Sequence, residues 1–129
     1  MIGAEISGEL KKGYTVFNKA RDHHWFSDEP KELEGLDLGP RPSELLLSSL
    51  ISCKLITLKM YANRKNWNID GLKILLTIID KEEKIIIEKK IMFNDQLSEK
   101  QKKRLTDISG RCPIAKLLSN SIEFKLVVN

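Results

Sequence analysis

Two residues in this chain, Cys53 and Cys112, have the chemistry of a nucleophile or a redox centre. The thiolate is the reactive form of cysteine, so the surroundings of each decide what it can do. Cys112 stands immediately before Pro113, at the expected N-cap of a helix. Unpaired N–H groups and the positive end of the helix dipole favour a thiolate there, and Arg111 adds a positive charge next door. The ordinary alternative is that Cys112 is a small capping residue. Cys53 lies in a long apolar segment, where burial raises a thiol pKa and leaves it inert. A reactive Cys53 therefore needs a nearby cation and a route for substrate. Ser49 and Thr57 flank it one turn away on the same helical face and offer hydroxyls to a thiolate. Such small residues also pack well inside helices, and a buried cysteine is ordinarily a small hydrophobe. Two cysteines without a CxxC pair make neither a disulfide scaffold nor a zinc site.

The elements that must position this pair can be read from spacing and breakers. Three strands are expected at 2–10, 14–19 and 23–27, with Lys11-Lys12-Gly13 marking a turn. Pro30 ends the third, and Pro30, Gly35, Gly39, Pro40 and Pro42 make 30–42 a structured loop. Proline is well tolerated in a first helical turn, so a helix starts at Pro42 or Ser43 and runs to Lys65, roughly 34 Å. Leu46, Ser49, Leu50, Cys53, Ile56, Thr57 and Met60 share one face; Leu47, Ile51, Leu55, Leu58 and Ala62 lie opposite. A helix apolar nearly all round must be buried nearly all round, and one small sheet covers only one side. A second subunit is the expected cover. Strands at 69–79 and 84–93 pair across a turn at 80–83. Ser98 with Gln101 forms a capping box for a helix ending near Gly110. Cys112-Pro113 opens a short helix to Leu118, and 121–128 closes as a strand. The order β-β-β-α-β-β-α-α-β is an α+β arrangement with antiparallel strands.

The chain has 129 residues, room for one domain, 1–129. Its start lacks a basic stretch followed by an apolar run, so the expected compartment is the cytoplasm. The most apolar stretch, 45–60, carries Lys54 and Lys59 and is shorter than the roughly 20 residues that span a bilayer. A buried helix of a soluble protein is expected there, not a membrane segment. A net charge of +4 raises the question of nucleic acid. The basic residues alternate with acids, however, and the densest run, 100–104, falls on an expected exposed helix with no nucleic-acid-binding motif.

At this point the motifs carry a resemblance. The run Gly39-Pro40-Arg41-Pro42-Ser43-Glu44-Leu45-Leu46-Leu47, continuing to Leu50 and Cys53, resembles the "GPxPxELLLxxLxxC" helix opening of the OsmC/Ohr family. Thr57, Met60-Tyr61-Ala62 and Arg64-Lys65-Asn66-Trp67 resemble a "TLRMYAxRKGW" continuation, with Asn66 in place of glycine. Upstream, His23, Asp28-Glu29-Pro30, Gly35 and Asp37 fit "HxxxxDEPxxxGGxDxGP", with Glu34 replacing the first glycine. Downstream, Leu97, Gln101, Arg104-Leu105 and Cys112-Pro113-Ile114 resemble "LxxEQRxRLxxIAxxCPVHKTL", with Ala115 where histidine is usual. The ordered set covers nearly the whole chain.

The resemblance implies an OsmC-like fold, an antiparallel sheet wrapped on a long central helix, in an intertwined homodimer with sites at the interface. It further implies a thiol-dependent peroxidase, in which Cys53 attacks an organic hydroperoxide and becomes a sulfenic acid. Cys112 then closes a disulfide, which an external dithiol reduces; no cofactor or metal is implied. In the family an arginine and a glutamate hold the reactive thiolate. Ser43 occupies the place of the glutamate, and Glu44 follows it. On an ideal helix Glu44 points about 180° from Cys53, so it serves the site through a distorted helix start or the partner subunit. The alternative is a carboxylate that only suits the first helical turn. Arg21, Arg41 and Arg64 are the candidate arginines, with Arg41 preferred. His23 and His24 face opposite ways on a strand, so at most one could reach a site, and no third metal ligand accompanies them. The competing function is a non-catalytic dimer of the same fold that senses redox state or binds an apolar ligand.

Overall fold

The structure, a computed structural model, describes residues 3–129. Its secondary structure is α+β with antiparallel strands throughout. The chain divides into two compact units, one up to Ser48 and one from Ser49 to Asn129.

In the first unit, β1 (Ser7–Leu10), β2 (Val16–Ala20) and β3 (His23–Ser27) form a three-stranded sheet in that order. Phe17 lies opposite Phe26, and their rings meet at 5.7 Å. The first strand is shorter than the expected 2–10: no strand forms over 3–6, and Ile2 lies outside the described residues. The loop after β3 is organised by Asp28, which is 2% exposed. Its carboxylate accepts from the Thr15 hydroxyl at 2.6 Å and from the N–H groups of Glu29, Leu36 and Leu38. These bonds to the charged form hold the Asp28 carboxyl below its ordinary pKa, the Thr15 hydroxyl first among them. The loop contains one short 3-10 helix (Lys31–Leu33), ended by Glu34 at φ 69°. Close chain approach explains Gly35 and Gly39, because a Cβ would run into the carbonyls of Glu29 and Phe26 respectively.

Helix α1 (Pro42–Lys65) starts as expected and continues into the second unit. Its end is a Schellman turn: Asn66 at φ 57° donates to the Asn63 carbonyl, and Trp67 to that of Ala62. The hairpin β4 (Lys73–Lys81) and β5 (Lys84–Met92) follows, with Ile74 and Leu76 buried. Helix α2 (Glu99–Ser109) carries the expected capping box, with both Ser98–Gln101 bonds formed. Helix α3 (Pro113–Ser119) then opens at Cys112. Most of the buried apolar residues lie in this unit, among them Leu58 and Leu105 at 0% exposure.

Three expectations need correction. The strands form two separate sheets, β1–β3 and β4–β5, rather than one. The closing strand at 121–128 does not form; this segment is exposed and has no ladder partner within the chain. Nor is α1 buried all round. Its buried residues are Leu50, Lys54, Leu58 and Ala62, a single row at i, i+4 spacing, while Ile56 and Met60 are exposed. One chain simply supplies too little protein to cover the other faces. The helix also exceeds the apolar stretch that suggested it. Its 24 residues, with a mean hydropathy of 1.4 over one 18-residue window, suffice for a bilayer by length and composition alone. Core helices of soluble proteins meet the same criterion.

Candidate functional site

The chain brings together two thiols that stand 59 residues apart in sequence. Cys53, half-buried on α1, and Cys112, fully buried ahead of α3, are free thiols close enough to shift each other's ionisation. Local sequence explains both positions. Ser49, Cys53 and Thr57 follow one another at i, i+4 spacing on α1, and the Thr57 hydroxyl favours the ionised form of Cys53. Pro113 fixes the first turn of α3, and the Cys112 sulfur accepts from the Ala115 N–H at 3.5 Å.

The pair is electrostatically asymmetric. Burial raises the Cys53 pKa, and the neighbouring Cys112 raises it further, against smaller opposing effects of the Ile114 N–H and Thr57. Burial also opposes ionisation of Cys112. It is outweighed by the Cys53 thiol, the N–H groups of Ala115 and Ile114, and the Lys54 ammonium, so the Cys112 pKa falls. Within one chain these surroundings favour ionisation of Cys112 over that of Cys53.

Lys54 is a buried cation that sequence reading passed over. It is 8% exposed, and its Nζ donates to the Ser109 carbonyl at 3.1 Å. Lys89 of β5 donates to the Ser109 hydroxyl at 2.8 Å. The available signal was a lysine next to Cys53 at the i+4 position between Leu50 and Leu58.

Arg41 and Glu44 belong to the first unit. The Arg41 guanidinium meets Glu29 at 3.4 Å, and the Arg41 N–H donates to the Glu44 carboxylate at 2.9 Å. Glu44 thus occupies the helix-start role, closing one half of a capping box. Of the other arginines, Arg21 lies in the β2–β3 turn at φ 55°. Arg64 lines a cavity of about 460 Å³ with Thr57, Tyr61, Lys65, Ile108 and Arg111. His23 and His24 are exposed on β3, and His24 stacks on Phe17 at 5.5 Å. No cluster of three metal-ligating side chains occurs among the described residues.

The sequence profile described as OsmC-like protein matches residues 35–127. The chain belongs to the OsmC-like protein family. Comparison with curated proteins returns no match. Solved structures of the same fold include a Psychrobacter arcticus protein described as an osmotic stress induced and detoxification response protein. Its TM-score is 0.76 at 21% identity, covering 91% of this chain and 90% of that one. An OsmC-like protein from Mycoplasma pneumoniae gives 0.72 at 23% identity, over 92% and 88% of the two chains. The organic hydroperoxide resistance protein OhrB of Bacillus subtilis gives 0.63 at 17% identity, over 90% of each. At these identities the likeness establishes the OsmC-like fold.

Proposed function

We propose that this protein is a thiol-dependent hydroperoxide reductase, a homodimer that reduces organic hydroperoxides through Cys53 and Cys112. The observation that carries the reading is that the fold brings the two free thiols, 59 residues apart in sequence, close enough to shift each other's ionisation. Two buried structural cysteines have no need to meet. A peroxidatic and a resolving cysteine do, because a disulfide requires sulfurs within bonding reach. The described relatives support the same reading, since one of them is an organic hydroperoxide resistance protein.

In the proposed cycle the Cys53 thiolate attacks the peroxide O–O bond. One oxygen stays on sulfur as the sulfenic acid, and the other leaves with a proton as alcohol. Cys112 displaces the sulfenic oxygen as water and forms the disulfide, which an external dithiol then opens. The raised pKa of Cys53 within one chain means that its ionisation needs help from assembly. Arg41 and Glu44 are the groups proposed to provide it in the dimer. The cavity that reaches Thr57, with Arg64 and Arg111 on its wall, offers a path for substrate. The proposed location is the cytoplasm, where dithiol reductants are available.

The test is consumption of an organic hydroperoxide in the presence of a dithiol. Cys53→Ser should abolish it, and full activity in that variant would show the nucleophile to be wrong. One equivalent of peroxide should remove two hydrogens from the intact mass, and Cys112→Ser should prevent this. An unchanged thiol count would point instead to a non-catalytic, ligand-binding dimer.

A further inference from the structure

We infer that the groove between the end of α1 and α2 is a binding site for an organic polyphosphate, with its phosphates on lysine and arginine and its apolar body on Tyr61 and Trp67. The site is separate from the thiol pair, and none of its argument depends on peroxidase activity. It starts from where the two helices put their charge. On α2, Lys100, Lys103 and Arg104 fall at i, i+3 and i+4, a single stripe. Like charges at that spacing repel, so the stripe costs the helix stability of its own. On α1, Arg64 and Lys65 stand three and four residues after Tyr61, so its last turn presents the same charge. The one acid at the start of α2, Glu99, is taken up by Lys102 at 3.3 Å.

The two stripes line one cavity of about 500 Å³, where Lys65, Lys100, Lys103 and Arg104 meet Tyr61 and Trp67. The neighbouring cavity of about 460 Å³ shares Tyr61 and Lys65 with it and adds Arg64 and Arg111. Among the described residues the carboxylate on these walls is Asp107. Six cations against one carboxylate leave the groove at +5, while the whole chain carries +4. The positive excess of the chain is therefore gathered here, although its basic and acidic residues alternate in sequence. Among the described residues the ion pairs are Lys11–Glu9, Arg41–Glu29, Lys59–Asp70 and Lys102–Glu99, and none of the six cations takes part.

The groove is also pre-arranged. Arg104 Nε donates to the Tyr61 hydroxyl at 2.9 Å, which fixes the guanidinium and leaves its terminal nitrogens to meet an anion. That guanidinium and the Lys65 ammonium lie 5.5 and 5.9 Å from the centre of the Tyr61 ring. Trp67 meets Tyr61 edge to face at 5.7 Å, and both rings are half-buried. A monocarboxylate would answer one cation of the four in the larger cavity. A terminal phosphate carries about 1.5–2 negative charges near pH 7, so a di- or triphosphate matches four cations and one carboxylate. Two half-buried aromatic rings are of no use to a bare inorganic anion, whereas a nucleoside polyphosphate uses both features.

The test uses Trp25→Phe, which leaves Trp67 as the single tryptophan, and follows its fluorescence on titration with adenosine triphosphate. A saturable change is expected, weakened by added salt, with inorganic tripolyphosphate binding less tightly. Calorimetry on the unsubstituted protein gives the same reading should Trp25→Phe fail to fold. Lys100→Gln together with Lys103→Gln should weaken binding about tenfold. Lys81→Gln together with Lys84→Gln removes equal charge from the β4–β5 turn and should leave binding unchanged. Equal weakening by the two pairs would overturn the inference, because binding would then follow net charge and not the groove. Retention of a single-stranded oligonucleotide or of polyglutamate, without saturable binding of adenosine triphosphate, would overturn it in favour of a macromolecular partner.

Discussion

Asp28 shows how much a single residue organises in this chain. Four donors converge on its carboxylate, and together they fix the fourteen-residue path between β3 and α1, whose only regular element is one short 3-10 helix. Because these donors prefer the charged form, the folded-state pKa lies below the unfolded one. The sign follows from linkage: the contribution is fully present above the ordinary carboxylate pKa, near pH 4, and is lost as pH falls from there through the folded value. Asp28→Asn should therefore lower the denaturation midpoint at neutral pH. The gap to the unsubstituted protein should narrow on acidification toward pH 3. A constant gap from pH 7 to pH 3 would mean that the carboxylate charge is not what the loop uses. The residue-scale chemistry was only partly legible in sequence. Cys112 as an N-cap could be anticipated, because a cap is set by residues within four positions. The burial of Lys54 could not, since a lysine in an apolar helix ordinarily extends its ammonium to water. Only the arrival of α2 and β5 around it, 55 and 35 residues downstream, turns it into a buried cation.

At the scale of elements, the helix boundaries followed from sequence and the sheet content did not. Pro42, the Ser98–Gln101 box and Pro113 each act locally, so α1, α2 and α3 stand where their signals put them. Strand edges depend on partners, and β1 and β4 are accordingly shorter than alternation suggested. The two positions where this chain departs from the family's glycines carry a related lesson. Glu34 and Asn66 both sit at positive φ, 69° and 57°, so the backbone keeps the glycine conformation that the side chains do not favour. The left-handed region costs an L-residue about 1–2 kcal/mol, and asparagine is the better tolerated of the two. Glycine gives back about 0.4–1 kcal/mol through a freer unfolded chain. Glu34→Gly should thus raise stability by about 0.5–1 kcal/mol, the difference between those two effects. Asn66→Gly should be close to neutral. Urea midpoints of the two variants decide the matter, and a destabilised Glu34→Gly would show that the glutamate makes a compensating contribution.

For the whole molecule, the apolar surface left by a single chain is the strongest argument that it works as an assembly. Ile56 and Met60 on α1 are 55% and 62% exposed, and the tail adds Phe124 at 91% and Leu126 at 85%. A monomer rarely leaves so many large apolar side chains in water without a partner to cover them. The tail also keeps the alternation of a strand: Ile122, Phe124, Leu126 and Val128 would share one face, with Glu123 and Lys125 on the other. The segment 121–128 thus has the alternation of a strand, yet it joins no sheet edge among the described residues. In the proposed dimer, strand pairing with a second copy would supply both a ladder and a cover. Replacing Phe124 and Leu126 together with aspartate should convert the proposed dimer to a monomer in light scattering. Hydroperoxide turnover should fall with it, because on the proposed reading the groups that ionise Cys53 are supplied by assembly. The Cys53 and Cys112 thiols lie inside one unit of one chain, so diamide should still close the disulfide in the monomeric variant. Loss of turnover together with retained disulfide formation is the signature of a couple completed only by assembly. A fully active monomer would place the activating groups within a single chain.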